Sequence, residues 1–249
     1  MDDDALLAVL GEAAAAARHA LDGLDDWGLA GTRPGQYRSD LVADAAALAV
    51  LDAAGLGVLS EESGMHAGDR DLVVVLDPVD GSTNASRGIP WFATSLCAVD
   101  AEGPRAALVV NQAGGERYTA IRGQGAWRDG ARVAPSGCAR PDDAVVALSG
   151  LPPARLGWRQ FRAFGAAALD LCAVAAGIVD AYVDCSRDAH GPWDYLGGLL
   201  VCREAGAPIA DALGRELVVT GHADRRTPVA AATPHLLESL LARRASVLP

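Results

Sequence analysis

The chain contains no lysine: all 21 basic residues are arginine. Together with the abundant alanine, this reads as the coding bias of a GC-rich genome and carries little about function. The arginines are never densely bunched, and 32 acidic residues leave a formal net charge of −11. A nucleic-acid backbone binder needs a basic patch, so a polymeric nucleic acid is not an expected partner. Every apolar run is interrupted by charge or glycine before it can span a bilayer, so a membrane is not expected either. No C-x-x-C pair occurs, and the five cysteines (Cys97, Cys138, Cys172, Cys185, Cys202) are odd in number. That speaks against a disulfide framework and predicts reduced, mostly buried thiols in a cytoplasmic protein. The start, Met1-Asp2-Asp3-Asp4, has the wrong charge for a signal peptide. Internal repeats and low-complexity tails are missing as well.

What is present is 249 residues, 51% of them hydrophobic, enough for a sizeable core. Asp4 is placed to cap a helix over Ala5 to Leu24, and a second helix fits Asp40 to Ala54, followed by a short strand Gly57 to Leu59. The β-branched run Leu72 to Leu76 predicts a strand buried on both faces. Strands Phe92 to Val99, Ala106 to Asn111 and Glu116 to Ile121 follow as an antiparallel meander, with turns at Gly123-Gln124-Gly125 and Arg128-Asp129-Gly130. Pro135 to Asp143 is polar and marks a boundary. Beyond it the pattern predicts strand Ala144 to Leu148, helix Trp158 to Ala176, strand Ile178 to Val183, loop Asp184 to Pro192 and helix Trp193 to Ala205. Strands Pro208 to Ala210, Leu217 to Thr220 and Val229 to Ala232 then precede a helix Pro234 to Arg244. The expectation is therefore an α+β half over residues 1–140 and an α/β half over 141–249, joined in one compact unit.

The chemistry concentrates in Asp77-Pro78-Val79-Asp80-Gly81-Ser82-Thr83-Asn84. Two carboxylates sit at the end of a buried strand, and a tight turn at Pro78 would aim both at one centre. Mg²⁺ takes oxygen ligands, few of them carboxylates, with the rest from water and phosphate. The Val79 carbonyl lies between the two acids as a further candidate ligand. Gly81-Ser82-Thr83 offers consecutive backbone N–H groups suited to a phosphate. An acidic protein accepts an anion where a metal or helix terminus inverts the local field in this way. The plainer reading is a capped turn, because Asp-Pro and Asp-Gly are common turn pairs. Taken singly, Asp40 and Asp194 read as helix caps and Glu61 as a solvated loop acid. Residue patterns alone do not establish that these distant acids converge.

Glu61-Glu62-Ser63, the octet Asp77 to Asn84, and Pro192-Trp193-Asp194-Tyr195 with Glu204-Ala205-Gly206 resemble, in order, the signatures of the inositol monophosphatase superfamily. Pro90 to Leu96, the glycine turn Gly123 to Trp127, and Gly165 to Leu171 followed by Ala175-Ala176-Gly177 extend the resemblance over nearly the whole chain. The family contains lithium-sensitive, Mg²⁺-dependent phosphomonoesterases. The resemblance implies a layered α-β-α-β-α sandwich and commonly a homodimer. It implies metal ligation by Glu61, Asp77, the Val79 carbonyl, Asp80 and Asp194, for two or three Mg²⁺ ions with Mn²⁺ as a substitute. It also implies water activation by Asp40 with the Ser82 hydroxyl, alongside Glu61. Asp40 is preferred to Asp44 by its spacing to Glu61.

The partner implied is a small phosphorylated metabolite such as inositol 1-phosphate. The family's inositol-gripping acid falls on Arg187 here, and its usual serine after the helix glycine is Ala166. An arginine at a pocket rim suits a second anionic group, so fructose 1,6-bisphosphate, a 3′-phosphoadenosine nucleotide and histidinol phosphate stand as alternatives. A catalytically degenerate member acting as a binding protein is the alternative of another class. A nucleophilic-aspartate phosphatase fits less well, since the acids here are D-x-x-D. The five histidines lack ligand spacing. His190 is expected to be an exposed loop residue, with substrate contact as its other reading.

Overall fold

The computed structural model describes residues 1–248. Helices α1 (Asp3–Asp22) and α2 (Arg38–Ala53) come first. Eight strands follow: β1 (Gly57–Ser60), β2 (Gly64–His66), β3 (Val73–Asp80), β4 (Ala93–Asp100), β5 (Gly103–Asn111), β6 (Arg117–Ile121), β7 (Gly125–Arg128) and β8 (Ala131–Arg132). A short helix α3 (Ser82–Ser86) interrupts them after β3. These strands form one sheet in the order β2-β1-β3-β4-β5-β6-β7-β8, antiparallel throughout except for the parallel pair β1–β3. The second sheet holds β9 (Val145–Ser149), β10 (Gln160–Arg162), β11 (Ala181–Asp184), β12 (Ile209–Asp211) and β13 (Pro228–Ala231), ordered β10-β9-β11-β13-β12. Helices α4 (Ala167–Ala175), α5 (Pro192–Ala205) and α6 (Pro234–Ala245) complete the chain.

The layers follow from which faces are apolar. In α1, Leu6, Leu10, Ala13, Ala14, Ala17 and Leu21 form a buried stripe at three- and four-residue spacing. It packs with α2 on the outer face of the first sheet. Helices α4 and α5 lie between the two sheets, and α6 covers the far side of the second. The result is the expected α-β-α-β-α sandwich. Strands of the first sheet are covered twice, so their side chains sort by parity. Ala93, Cys97 and Val99 of β4 face the central helices, while Leu96 and Ala98 face α1 and α2. Burial on both faces explains the unbroken apolar run in β3. Helix α5 enters the middle layer through two glycines. A Cβ on Gly197 would stand 2.6 Å from Ser95 Oγ, and one on Gly198 2.6 Å from Leu171 Cβ.

Several local expectations are corrected. The cap of α1 is Asp2, whose side chain accepts from Ala5 N–H, and not Asp4. The helix expected from Trp158 starts only at Ala167, because residues 160–162 pair with β9 instead and Gly165 takes a φ of 89°. Leu217 to Thr220 is not a strand; Leu217 is buried and its carbonyl accepts the Tyr195 hydroxyl at 2.7 Å. The two glycine turns after β6 flank short strands that the sequence pattern did not reveal. Glu204 of α5 holds the first of these turns, accepting from Gly123 N–H at 2.8 Å and Gly125 N–H at 2.9 Å.

Candidate metal centre and active site

Strand β3 runs straight through the aspartates to Asp80, so no tight turn aims them. Residues three apart in a regular strand point to opposite faces. Here Asp77 pairs with Ser95 and Asp80 with Ala93, so three steps on β3 match two on β4. The extra residue is a bulge, and it returns both carboxylates to the side of the central helices. Pro78 suits the bulge because it has no N–H to leave unpaired, and Thr94 Oγ1 donates to its carbonyl at 2.8 Å. Asp77 accepts from Val79 N–H at 3.0 Å. Gly81 follows at φ 89°, where a Cβ would press on Gly165 O, Ala166 Cβ and Trp91 O at 3.0–3.2 Å. Glycine is therefore required there.

Glu61 lies just past the end of β1, in a turn fixed by Ser60, whose Oγ accepts from Glu62 N–H at 3.0 Å and Ser63 N–H at 3.4 Å. The same hydroxyl donates to Asp44, and Asp44 is not among the residues that line the cleft. Asp194 stands in the first turn of α5, where its Oδ2 accepts from Gly191 N–H at 2.7 Å. From these three elements, one carboxylate oxygen each of Glu61, Asp77 and Asp194 comes within 4.8 Å of the other two. Asp80 stands beside them, with Oδ1 accepting from Ala167 N–H at 3.1 Å and Oδ2 from Ala168 N–H at 2.7 Å. Asp80 is thus a cap for α4 as well as a member of the acidic cluster.

The electrostatics match a cation site. Burial pushes Asp77 well above the ordinary carboxylate range, and Glu61, Asp80 and Asp194 add repulsion. Burial, then Asp194 and Glu62, raise Glu61 to about 9. Asp80 rises to about 7 through burial and Asp194, held back by the α4 N–H groups and His190. A hard-oxygen donor set under such mutual repulsion fits Mg²⁺.

A cleft of about 260 Å³ opens next to the cluster, lined by Asp40, Glu61, Glu62, Ser82, Trp193, His222, Arg33 and Arg225 among others. Asp40, buried at the start of α2, accepts from Tyr37 N–H at 2.9 Å and from Ser39 Oγ at 3.1 Å. Burial raises it to about 6 against these bonds and one from Ser82. The Ser82 hydroxyl also lies 3.0 Å from the Val79 carbonyl oxygen. Thr83 Oγ1 is 3.2 Å from the Tyr37 hydroxyl.

His190 is not an exposed loop residue. Its side chain is 14% exposed, with Nδ1 3.3 Å from Asp194 Oδ2 and Nε2 3.0 Å from the Tyr182 hydroxyl and 3.1 Å from Ser149 Oγ. Burial alone would lower its pKa; the bond and charge of Asp194, with Asp184 and Asp80, outweigh that and raise it to about 9. Arg187 lies outside the cleft lining, exposed and 3.7 Å from Asp188. The arginines that line the cleft are Arg33 and Arg225, which no sequence motif singled out.

Residues 40–248 match the family model described as the inositol monophosphatase family. The chain is 36% identical over 208 residues to a fructose-1,6-bisphosphatase/inositol-1-monophosphatase of Thermococcus kodakarensis, covering 81% of this chain and 80% of that one. It is 34% identical over 202 residues to Nus factor SuhB of Salmonella typhimurium, at 74% and 72% coverage. Among solved structures, the extragenic suppressor protein SuhB of Bartonella henselae superposes with a TM-score of 0.81 at 30% identity, covering 96% of this chain and 98% of that one. A Pyrococcus horikoshii protein with similarities to inositol-1 monophosphatase gives 0.83 at 25% identity, with 96% of each chain covered. The family model spans most of the chain and the sandwich recurs in these solved structures, so the chain belongs to the inositol monophosphatase family.

Proposed function

We propose that the protein is a Mg²⁺-dependent phosphomonoesterase acting on a small phosphorylated polyol of the inositol 1-phosphate kind. The observation that carries this reading is the convergence of Glu61, Asp77 and Asp194 beside a cleft that also holds Asp40 and Ser82. Glu61, Asp77 and Asp194 would hold one ion; Asp80 and the Val79 carbonyl are the further ligands for a second or third, with Mn²⁺ as a substitute. When bound, the ions supply positive charge for the phosphate oxygens and the departing alkoxide, and make water a better acid.

The chain's own residues do the rest. Asp40, raised to about 6, is still ionised near neutral pH and basic enough to accept a proton from water. Ser82, whose hydroxyl donates to Val79 O at 3.0 Å and which lines the cleft with Asp40, orients that water. Backbone N–H groups of Gly81, Ser82 and Thr83 hold the phosphate oxygens as charge develops. Attack on phosphorus breaks the ester P–O bond and releases inorganic phosphate and the alcohol. The working form is a cytoplasmic homodimer, to be checked by sedimentation.

A phosphate-release screen with Mg²⁺, with and without Li⁺, tests the reading. Release from inositol 1-phosphate that depends on Mg²⁺ and falls with Li⁺ is expected. No release from any phosphomonoester would refute it and favour a binding protein.

A further inference from the structure

The acidic trio draws on unlike supports. Glu61 and Asp77 belong to neighbouring parallel strands of the first sheet or the turn that leaves them, so one ladder sets their spacing. Asp194 comes from the first turn of α5, in the middle layer, and needs its own alignment. Two groups grip its Oδ2. One is the Gly191 N–H at 2.7 Å, an ordinary use of an acid at a helix start. The other is His190 Nδ1 at 3.3 Å. A carboxylate only accepts, so this ring nitrogen carries the hydrogen and donates.

The far edge of the imidazole is held by the second sheet. Nε2 lies 3.0 Å from the Tyr182 hydroxyl, 3.1 Å from Ser149 Oγ and 3.7 Å from Asp184 Oδ2. Tyr182 and Asp184 lie on β11 and Ser149 ends β9, with Asp184 directly opposite Ser149 in the ladder. Tyr182 and Asp184 are buried, and Asp184 Oδ2 has no hydrogen bond of its own. Turning the ring away would leave these buried polar atoms still barer, which fixes its orientation. The backbone is fixed too: Arg226 N–H donates to His190 O at 2.8 Å, and His190 N–H to Arg226 O at 3.3 Å. His190 is not among the residues that line the cleft, so it meets Asp194 from behind, away from any substrate there.

We infer that His190 is a positioning residue, which ties the Asp194 carboxylate to the second sheet and so holds it in place beside Glu61 and Asp77. The cation site then depends on both sheets: the first spaces two ligands, and the second, through one imidazole, sets the third. This rests on the reading of the trio as a site for Mg²⁺ or Mn²⁺ and adds what aligns its third member. Outer groups of this kind are worth about 10- to 100-fold in metal affinity.

The test follows Mn²⁺ binding to the full chain by electron paramagnetic resonance, without substrate. Wild type and Asp194→Asn are compared first, and the site of interest is the one that Asp194→Asn abolishes. His190→Ala should weaken Mn²⁺ at that site about 10- to 100-fold. An Asn amide nitrogen can stand where Nδ1 stands, and a Gln nitrogen where Nε2 stands. His190→Asn should therefore recover most of the affinity and His190→Gln little. Damage to the fold would strike Asn and Gln alike, so their difference reports the bond to Asp194 even where His190→Ala fails to fold. Unchanged affinity in His190→Ala, or equal affinity in the Asn and Gln variants, overturns the assignment alone. A wild type that takes up no Mn²⁺, or an Asp194→Asn variant that binds as wild type does, overturns the cation-site reading and this inference with it.

Discussion

Replacing Asp77 by asparagine should destroy metal binding and yet stabilise the metal-free protein. Asp77 is 1% exposed, and oxygens of Glu61 and Asp194 lie within 4.8 Å. At an effective dielectric of about 20, each fully charged pair at that distance costs about 3 kcal/mol. Glu61 keeps its proton up to about 9, so near neutral pH most of the relief comes from the other acids. We expect a net gain of about 2 kcal/mol, or about 4–8 °C in Tm for a chain of this size. Asparagine keeps the Oδ1 that accepts from Val79 N–H, so the bulge survives.

The sign with pH is fixed by the raised carboxylates. Their stabilising effect is full below the unfolded value near 4 and is lost as pH rises through about 6 for Asp40, 7 for Asp80 and 9 for Glu61. Metal-free wild type should therefore lose stability from pH 5 to pH 9. The advantage of Asp77→Asn should be large at pH 8 and small at pH 5. Mg²⁺ should raise the Tm of wild type and leave the variant where it was. Scanning calorimetry in chelator and in Mg²⁺ decides this. A variant less stable than wild type at pH 8 without metal, or equal stabilisation of both by Mg²⁺, would refute the reasoning.

Three further outcomes are expected. Asp40→Asn should lower kcat by about 10²- to 10⁴-fold with little change in KM, and the wild-type rise in activity through about pH 6 should vanish in its pH–rate profile. Asp80→Asn should cost about 1–2 kcal/mol in denaturant unfolding besides activity, because one of the two buried α4 N–H groups loses its acceptor. Glu204→Ala should cost about 1–3 kcal/mol by freeing the Gly123–Gly125 turn, while turnover per folded molecule holds.

The strands were legible because composition codes them: a run such as Val73-Val74-Val75-Leu76 has only one comfortable place, between two apolar layers; their layering into a sandwich was implied by the family resemblance alone. The octet was legible because its residue types are few and ordered. The device that aligns its two acids was not, since a bulge is a property of the pairing between β3 and β4 and leaves no mark on β3 alone. Residues 158–166 read as helix because periodicity cannot show that 160–162 gain more from pairing with β9. His190 read as exposed because its partners, Ser149, Tyr182 and Asp194, lie on three separate elements. Arg33, His222 and Arg225 enter the site through loops whose positions depend on tertiary contacts, and no local spacing announces them.

The three carboxylates of the trio are mounted with unequal stiffness. Asp77 rides a strand buried on both faces, and Asp194 rides a helix jammed against Ser95 and Leu171 at its two glycines. Glu61 sits in a turn, its N–H tied to Leu76 O at 3.1 Å and its carbonyl in reach of Arg33 at 3.4 Å and His222 at 3.2 Å. A cation of different radius, were one held here, would thus be met first by the Glu61 side chain, the one member of the trio carried by neither a strand nor a helix.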